Sequence, residues 1–223
     1  MRDILTGLLG CKNISDDIIV FGKGKEEHDK NLRGVLQRLK ENNIRLNKDK
    51  FEFSKTEIKF YCHIFSSSGL LPDPVKVEAI YRARPPQNSN EVRSLLVMAQ
   101  CVSRFIPNYA TITTPLRLLT RQDTPWKWEQ EEQRALGKLK EALVGDQVMS
   151  YFNPKKKNEI IVDASPAGLG GLLLQEGRVP SYGSRALSDV ESRYSQTERD
   201  ACSNMGSGTL SSARLWCPVL CRH

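Results

Sequence analysis

Asn13-Ile14-Ser15-Asp16-Asp17-Ile18-Ile19-Val20-Phe21-Gly22 is the stretch on which the reading of this 223-residue chain turns. Two adjacent acids precede a run of apolar, β-branched residues that stops at a glycine. The pattern predicts a turn feeding a buried strand, with Asp16 and Asp17 at the strand's mouth. Neighbouring carboxylates on a turn can hold divalent metal ions that activate a hydroxyl and stabilise a leaving phosphate. A solvated turn favours Asp too, because its side chain hydrogen-bonds the local backbone. The apolar strand behind the pair tips the balance, since it carries both acids to a sheet surface where like charges call for a cation.

Downstream, Leu32, Val35, Leu36 and Leu39 recur at helical spacing within 26–42 and give an otherwise charged helix one apolar stripe. A strand pair is expected at Phe51 to Phe53 and Ile58 to Phe65, closed by Ser66-Ser67-Ser68-Gly69. Asp73-Pro74 opens a short helix, with proline in the first turn where a missing N–H costs nothing, and Pro85-Pro86 ends it. A stronger helix starts near Ser89 or Asn90 and runs through Val92, Leu95, Leu96, Ala99 and Val102 to Pro107. Another follows Trp126-Lys127-Trp128 and carries Leu136, Leu139 and Leu143. Near Asp146 the pattern changes to strands, over 159–163, 168–175 and 178–184, and a last helix is expected from about Ser188 through Glu198. Beyond Cys202 periodicity is lost and no acid occurs, so 203–223 reads as a disordered tail.

The formal net charge of +7 favours acidic partners. Nucleic acid suits it better than a membrane, because the chain shows no basic amphipathic anchor and no apolar run long enough to span a bilayer. The first residues lack the apolar core of a secretory signal, so an intracellular location, cytoplasm or nucleus, is expected. Six cysteines without paired metal-ligand spacing read as free thiols. Lys155, Lys156 and Lys157 form a basic turn that is either solvated or a phosphate contact.

With these elements in place, the chain resembles the reverse transcriptases of gypsy-type long-terminal-repeat retrotransposons. The resemblance starts at Asp16-Asp17-Ile18-Ile19-Val20-Phe21-Gly22-Lys23 and Glu26-Glu27-His28-Asp29. It continues in order through Leu46-Asn47, Lys50, Phe60, His63, Gly69, Asp73-Pro74, Glu91-Val92-Arg93-Ser94, Arg104-Phe105-Ile106-Pro107, Pro115-Leu116 and Trp128. It closes in Val162-Asp163-Ala164-Ser165, Gly168-Leu169-Gly170, Gln175, Ser184-Arg185-Ala186-Leu187, Glu191, Tyr194 and Glu198. Such collinearity from about residue 11 to 202 is more specific than any single motif.

The resemblance implies a mixed α+β or α/β fold in pieces: palm remnant over 1–66, thumb and connection over 67–145, and an incomplete ribonuclease H-like domain over 146–202. It implies that Asp16 and Asp17 are metal-binding polymerase carboxylates. Phe60 to His63 matches the segment that supports a primer end. Asp163 and Glu198 match the first two acids of a ribonuclease H site, with Mg²⁺ or Mn²⁺ as cofactor and RNA–DNA hybrid or duplex as partner. Such nucleases use two metals held by about four carboxylates. The third and fourth acids are expected beyond residue 202, where the sequence has none, and the third polymerase carboxylate is expected upstream of Met1. The family function is RNA-directed DNA synthesis with cleavage of hybrid RNA, and this chain alone is expected to be inactive. The alternatives are a non-catalytic nucleic-acid-binding remnant and a translated piece of a decaying element. Departures from the family pattern include Ile14 for tyrosine, Phe51 for cysteine, Tyr61-Cys62 for Leu-Gly, and Val97 and Cys101 for Gly and Tyr. Cys62 is costly if the backbone there needs positive φ.

Overall fold

The computed structural model of the protein describes residues 4–14, 16–122, 124–144 and 148–200. The tail 203–223 and the expected boundary at residue 146 lie outside these residues. The chain forms two compact units, Met1–Tyr61 and Cys62–His223.

In the first unit, β1 (Cys11–Ile14) and β2 (Asp17–Val20) make an antiparallel hairpin whose closing pair is Ile14 with Asp17. Helix α1 (Lys25–Glu41) carries the apolar stripe, and Val35 and Leu39 are buried with Leu5 and Cys11. Ile18 and Val20 pack against this cluster. The strand expected to be buried is therefore half-buried, since it presents only one side to a single helix. Glu26 and Glu27 in the first turn of α1, with Arg38 and Lys40 in the last, complement the helix dipole.

The stretch Phe51 to Phe53 does not form the expected strand. Asn47 caps a 3₁₀ turn at Lys48–Lys50 by accepting from the Asp49 amide, and Ser54 has φ 50°, so the chain turns at both ends of the segment. The two exposed rings stack on each other with centroids 5.2 Å apart. The run Ile58 to Phe65 also breaks, into β3 (Ile58–Phe60) and β4 (His63–Phe65), because Tyr61 and Cys62 both take positive φ.

The second unit pairs β4 antiparallel with β5 (Leu70–Pro72). Four helices follow in the first part of this unit: α2 (Pro74–Arg82), α3 (Ser89–Cys101), the short α4 (Tyr109–Ile112) and α5 (Thr114–Leu118). Asp73 caps α2 through the Val75 amide, and Asn88 caps α3 through the Glu91 amide. Helix α3 ends at Cys101, ahead of the expected Pro107, and a 3₁₀ turn at Ser103–Phe105 drives Phe105 and Ile106 into the core. Helix α6 (Gln130–Glu141) begins at a reciprocal capping box of Glu129 and Glu132.

A three-stranded antiparallel sheet follows, with β6 (Glu159–Ala164), β7 (Gly168–Gln175) and β8 (Arg178–Ala186) in sequential order. It shares its core with the helices: Ile80, Ala99, Val102, Phe105, Tyr109 and Leu139 pack together, and Val179 and Tyr182 of β8 lie against them. The Ala110 amide donates to Ser184 Oγ at 2.9 Å and Arg104 donates to the Pro180 carbonyl at 3.2 Å, so polar contacts reinforce the apolar seam.

The expected helix from Ser188 is interrupted. Two Ser-x-x-Glu sequences stand in tandem, Ser188 to Glu191 and Ser195 to Glu198, and each forms its own capping pair. The first starts only a 3₁₀ turn at Glu191–Arg193, after which Tyr194 is extended and a new helix is described from residue 196 to 200.

Candidate nucleic-acid and metal site

The β1–β2 hairpin places its two acids at its tip. Asp17 opens β2 and Asp16 precedes it in the turn, and both are exposed. The pair comes from one local element, so its geometry needs only the hairpin and the α1 packing that supports Ile18 and Val20.

The second pair of acids is assembled from two elements. Asp163 lies on the edge strand β6, opposite Gly170 on β7, which in turn faces Ser184 on β8. Residues directly opposed across an antiparallel pair share a face, so Asp163, Gly170 and Ser184 form a row that passes beneath α4. A Cβ at Gly170 would meet Asn108 Oδ1, so a larger residue there would have to displace the Asn108 side chain. Helix α4 covers the Ser184 and Gly170 end of the row and leaves Asp163 exposed. Beside it, Ser165 Oγ and Thr111 Oγ1 are 2.9 Å apart, tying the β6–β7 turn to α4. Gln196 donates to the carbonyl of Ala164 at 3.2 Å, which brings the start of the helix bearing Glu198 to the end of β6.

Glu198 itself accepts from the amide and the hydroxyl of Ser195, at 2.7 and 2.9 Å. These bonds, the backbone one foremost, hold its carboxyl below the ordinary range. One carboxylate oxygen is thereby committed to starting its own helix. The neighbouring Glu191 is bound more tightly: Arg185 donates to both its oxygens at 2.8 Å, Ser188 adds a backbone bond, and its pKa falls to about 2.

Among the described residues no group of three or more His, Cys, Asp or Glu could hold a metal ion. Asp16 with Asp17, and Asp163 with Glu198, are at most partial ligand sets. The described donors do not make the complete cage that a two-metal site needs.

Phe60 and His63, expected along the nucleic-acid track, are both buried. The His63 ring lies 5.5 Å from that of Phe105, in the core of the second unit. What these two residues expose is the turn between them, where Tyr61 is half exposed. Cys62 has φ 61°, the left-handed conformation in which a glycine costs nothing and a side chain is strained.

Lys155, Lys156 and Lys157 are exposed, and Lys156 pairs with Glu176 at 2.5 Å, leaving Lys155 and Lys157 as the outward charges of the turn. The sequence reading did not assign a role to Gln175. Its buried amide accepts from the Asn153 amide at 2.9 Å and donates to the Asn153 carbonyl at 2.8 Å and to Asn158 Oδ1 at 2.6 Å, closing the loop that carries the lysines. No helix among the described residues is long and apolar enough to cross a membrane.

Residues 15–65 match the family described as reverse transcriptase (RNA-dependent DNA polymerase). Residues 128–207 match the RNase H-like domain found in reverse transcriptase. The chain is similar to the retrovirus-related Pol polyprotein from transposon 297 of Drosophila melanogaster, at 35% identity over 90% of this chain and 19% of that protein. It is also similar to the transposon Tf2-3 polyprotein of Schizosaccharomyces pombe, at 30% identity over 83% of this chain and 14% of that protein. The chain thus spans about a fifth or less of the length of these curated relatives. Its fold is similar to part of the foamy viral protease-reverse transcriptase solved with an RNA/DNA hybrid, with TM-score 0.76, 22% identity, and coverage of 96% of this chain and 30% of that one. The same viral enzyme solved with dsDNA gives TM-score 0.72 at 22% identity, covering 96% and 45%.

Proposed function

We propose, for a chain that is retrotransposon polyprotein sequence joining reverse transcriptase to a ribonuclease H-like domain, that it serves as the nucleic-acid-holding middle of a gypsy-type element's polymerase. Its partner is RNA–DNA hybrid or duplex, and the division is palm remnant at 1–66, thumb and connection at 67–145, and ribonuclease H-like sequence at 146–202. The observation that carries the reading is the position of the acids. Asp16 and Asp17 sit on a hairpin tip inside the reverse-transcriptase match, and Asp163 and Glu198 sit on strand and helix inside the ribonuclease H-like match. A net charge of +7 and the exposed Lys155 and Lys157 suit a phosphate backbone. The structural neighbours' complexes with hybrid and dsDNA support the same partner class.

Each acid pair contributes to a Mg²⁺ or Mn²⁺ site that needs further donors, and a bound metal would there supply a polarised nucleophile and charge neutralisation. The chain's own residues supply position: the hairpin presents Asp16 and Asp17, β6 presents Asp163, and Ser195 orients Glu198. With two carboxylates per site, neither reaction runs on this chain alone. The test is primer extension on RNA and hybrid cleavage with Mg²⁺ or Mn²⁺, beside Asp16→Asn and Asp163→Asn. No activity above the two variants is expected. Extension lost in Asp16→Asn, or cleavage lost in Asp163→Asn, would overturn the claim of incompleteness while retaining the site residues.

A further inference from the structure

Two of the departures from the family pattern meet in space. Cys62 replaces a glycine in the β3–β4 turn and Cys101 replaces a tyrosine at the last residue of α3. The turn is pinned beside that helix end by two contacts. The Cys62 carbonyl accepts from the Asp73 amide at 2.9 Å, and the adjacent His63 ring packs on Phe105, four residues beyond Cys101. The two thiols are in hydrogen-bonding contact, and both side chains are half-buried. The α2 N-cap Asp73 and Lys76 of α2 lie near Cys62, and Tyr109 of α4 lies near Cys101.

We propose that Cys62 and Cys101 are a redox-active thiol pair that closes into an intramolecular disulfide, with hydrogen peroxide or another small hydroperoxide as oxidant. The Cys101 thiolate attacks one peroxide oxygen, breaking the O–O bond, releasing hydroxide and leaving a sulfenic acid. The Cys62 sulfur then attacks the Cys101 sulfur, its proton leaves with the displaced hydroxyl as water, and the S–S bond forms. Each sulfur loses one hydrogen, and the peroxide is reduced to two waters once the hydroxide takes up a proton. Cys62, whose thiol resists ionisation, is the resolving thiol. Burial and the neighbouring sulfur push Cys62 up to about 11, so closure accelerates as pH rises. Of the other cysteines, Cys11 is buried in the first unit and is no part of the pair.

The test uses the full chain with all six cysteines. The native protein is treated with hydrogen peroxide at neutral and raised pH, remaining thiols are blocked, and peptides are mapped by mass without reductant. The expected result is one dominant Cys62–Cys101 linked peptide with the loss of two hydrogens, formed faster at higher pH and reversed by dithiothreitol. It disappears in Cys101→Ser and in Cys62→Gly, the latter a change that suits the left-handed backbone and keeps the fold, and it persists in Cys11→Ser. A dominant linkage to Cys202, Cys217 or Cys221, equal Cys62–Cys101 linkage in the urea-unfolded chain, or no linkage at all would overturn the pairing. This result does not depend on the nucleic-acid reading.

Discussion

The two acidic pairs are built in opposite ways. Asp16 and Asp17 are neighbours on one hairpin tip, and their placement depends on about four residues of β2 and the apolar stripe of α1. Asp163 and Glu198 come from an edge strand and from a helix start held to it by Gln196, on a sheet whose other edge is anchored in the helical core. Glu198 also caps its own helix, and Asp163 lies at the uncovered end of a row that α4 shields. A carboxylate pair can thus be set by local sequence or by tertiary packing, and only the second is sensitive to distant core damage.

Phe105→Ala gives the largest effect. The ring is fully buried in the core that β8 shares with the helices, and its loss should cost about 3–5 kcal/mol. Chemical denaturation should show the loss, and hydrogen exchange should place it across β6–β8 while the β1–β2 hairpin keeps its protection. Equal deprotection of the hairpin would erase the distinction between the two pairs. Glu191→Gln should cost about 1 kcal/mol at neutral pH, after allowance for the exposure of Arg185. The folded pKa of Glu191 lies below its unfolded value. Its contribution is therefore full above the ordinary glutamate pKa of about 4.3, and it is lost as pH falls through about 2. Wild-type and variant stabilities should converge over that window; parallel curves down to the acid end would disprove the ion pair's role.

Ser195→Ala removes the hydroxyl, which with the Ser195 backbone amide lowers the Glu198 pKa, and leaves the helix start uncapped. The Glu198 carboxyl resonance should titrate at higher pH, and amide protection over 196–200 should fall about fivefold. An unmoved titration would mean that the capping box does not form. Smallest is Cys62→Gly, which removes a side chain from a φ of 61° and should raise stability by about 0.5 kcal/mol, because relief of the left-handed strain exceeds glycine's entropic cost. A loss of stability in thermal unfolding would show that the thiol contact outweighs the strain.

The local pair was readable because its signals are short-range. The acids, the β-branched run and the 3.6-residue stripe all lie within 16–39, and the structure buries Val35 and Leu39 as that stripe requires. The same reading placed Asp163 on a strand and found α2, α3 and α6, each marked by a cap or a proline. It missed where short-range signals were silent or doubled. Tyr61-Cys62 makes a tight turn with neither glycine nor asparagine to announce it, so two strands read as one. Phe51 and Phe53 look like strand residues by composition, yet the chain turns on either side of them. The tandem Ser-x-x-Glu sequences near 188 and 195 carry the start signal twice, and only the second helix continues. Gln175's hold on the lysine turn is a contact across more than twenty residues and has no local signature.

The most direct test of the nucleic-acid reading is fluorescence anisotropy of a labelled RNA–DNA hybrid, titrated with the full chain across a salt series. Affinity should be independent of sequence and fall on the order of tenfold or more between about 50 and 200 mM salt. In Lys155→Ala/Lys157→Ala the slope should be shallower by about one to two contacts. Binding that is undetectable, or that does not change with salt, would contradict the account.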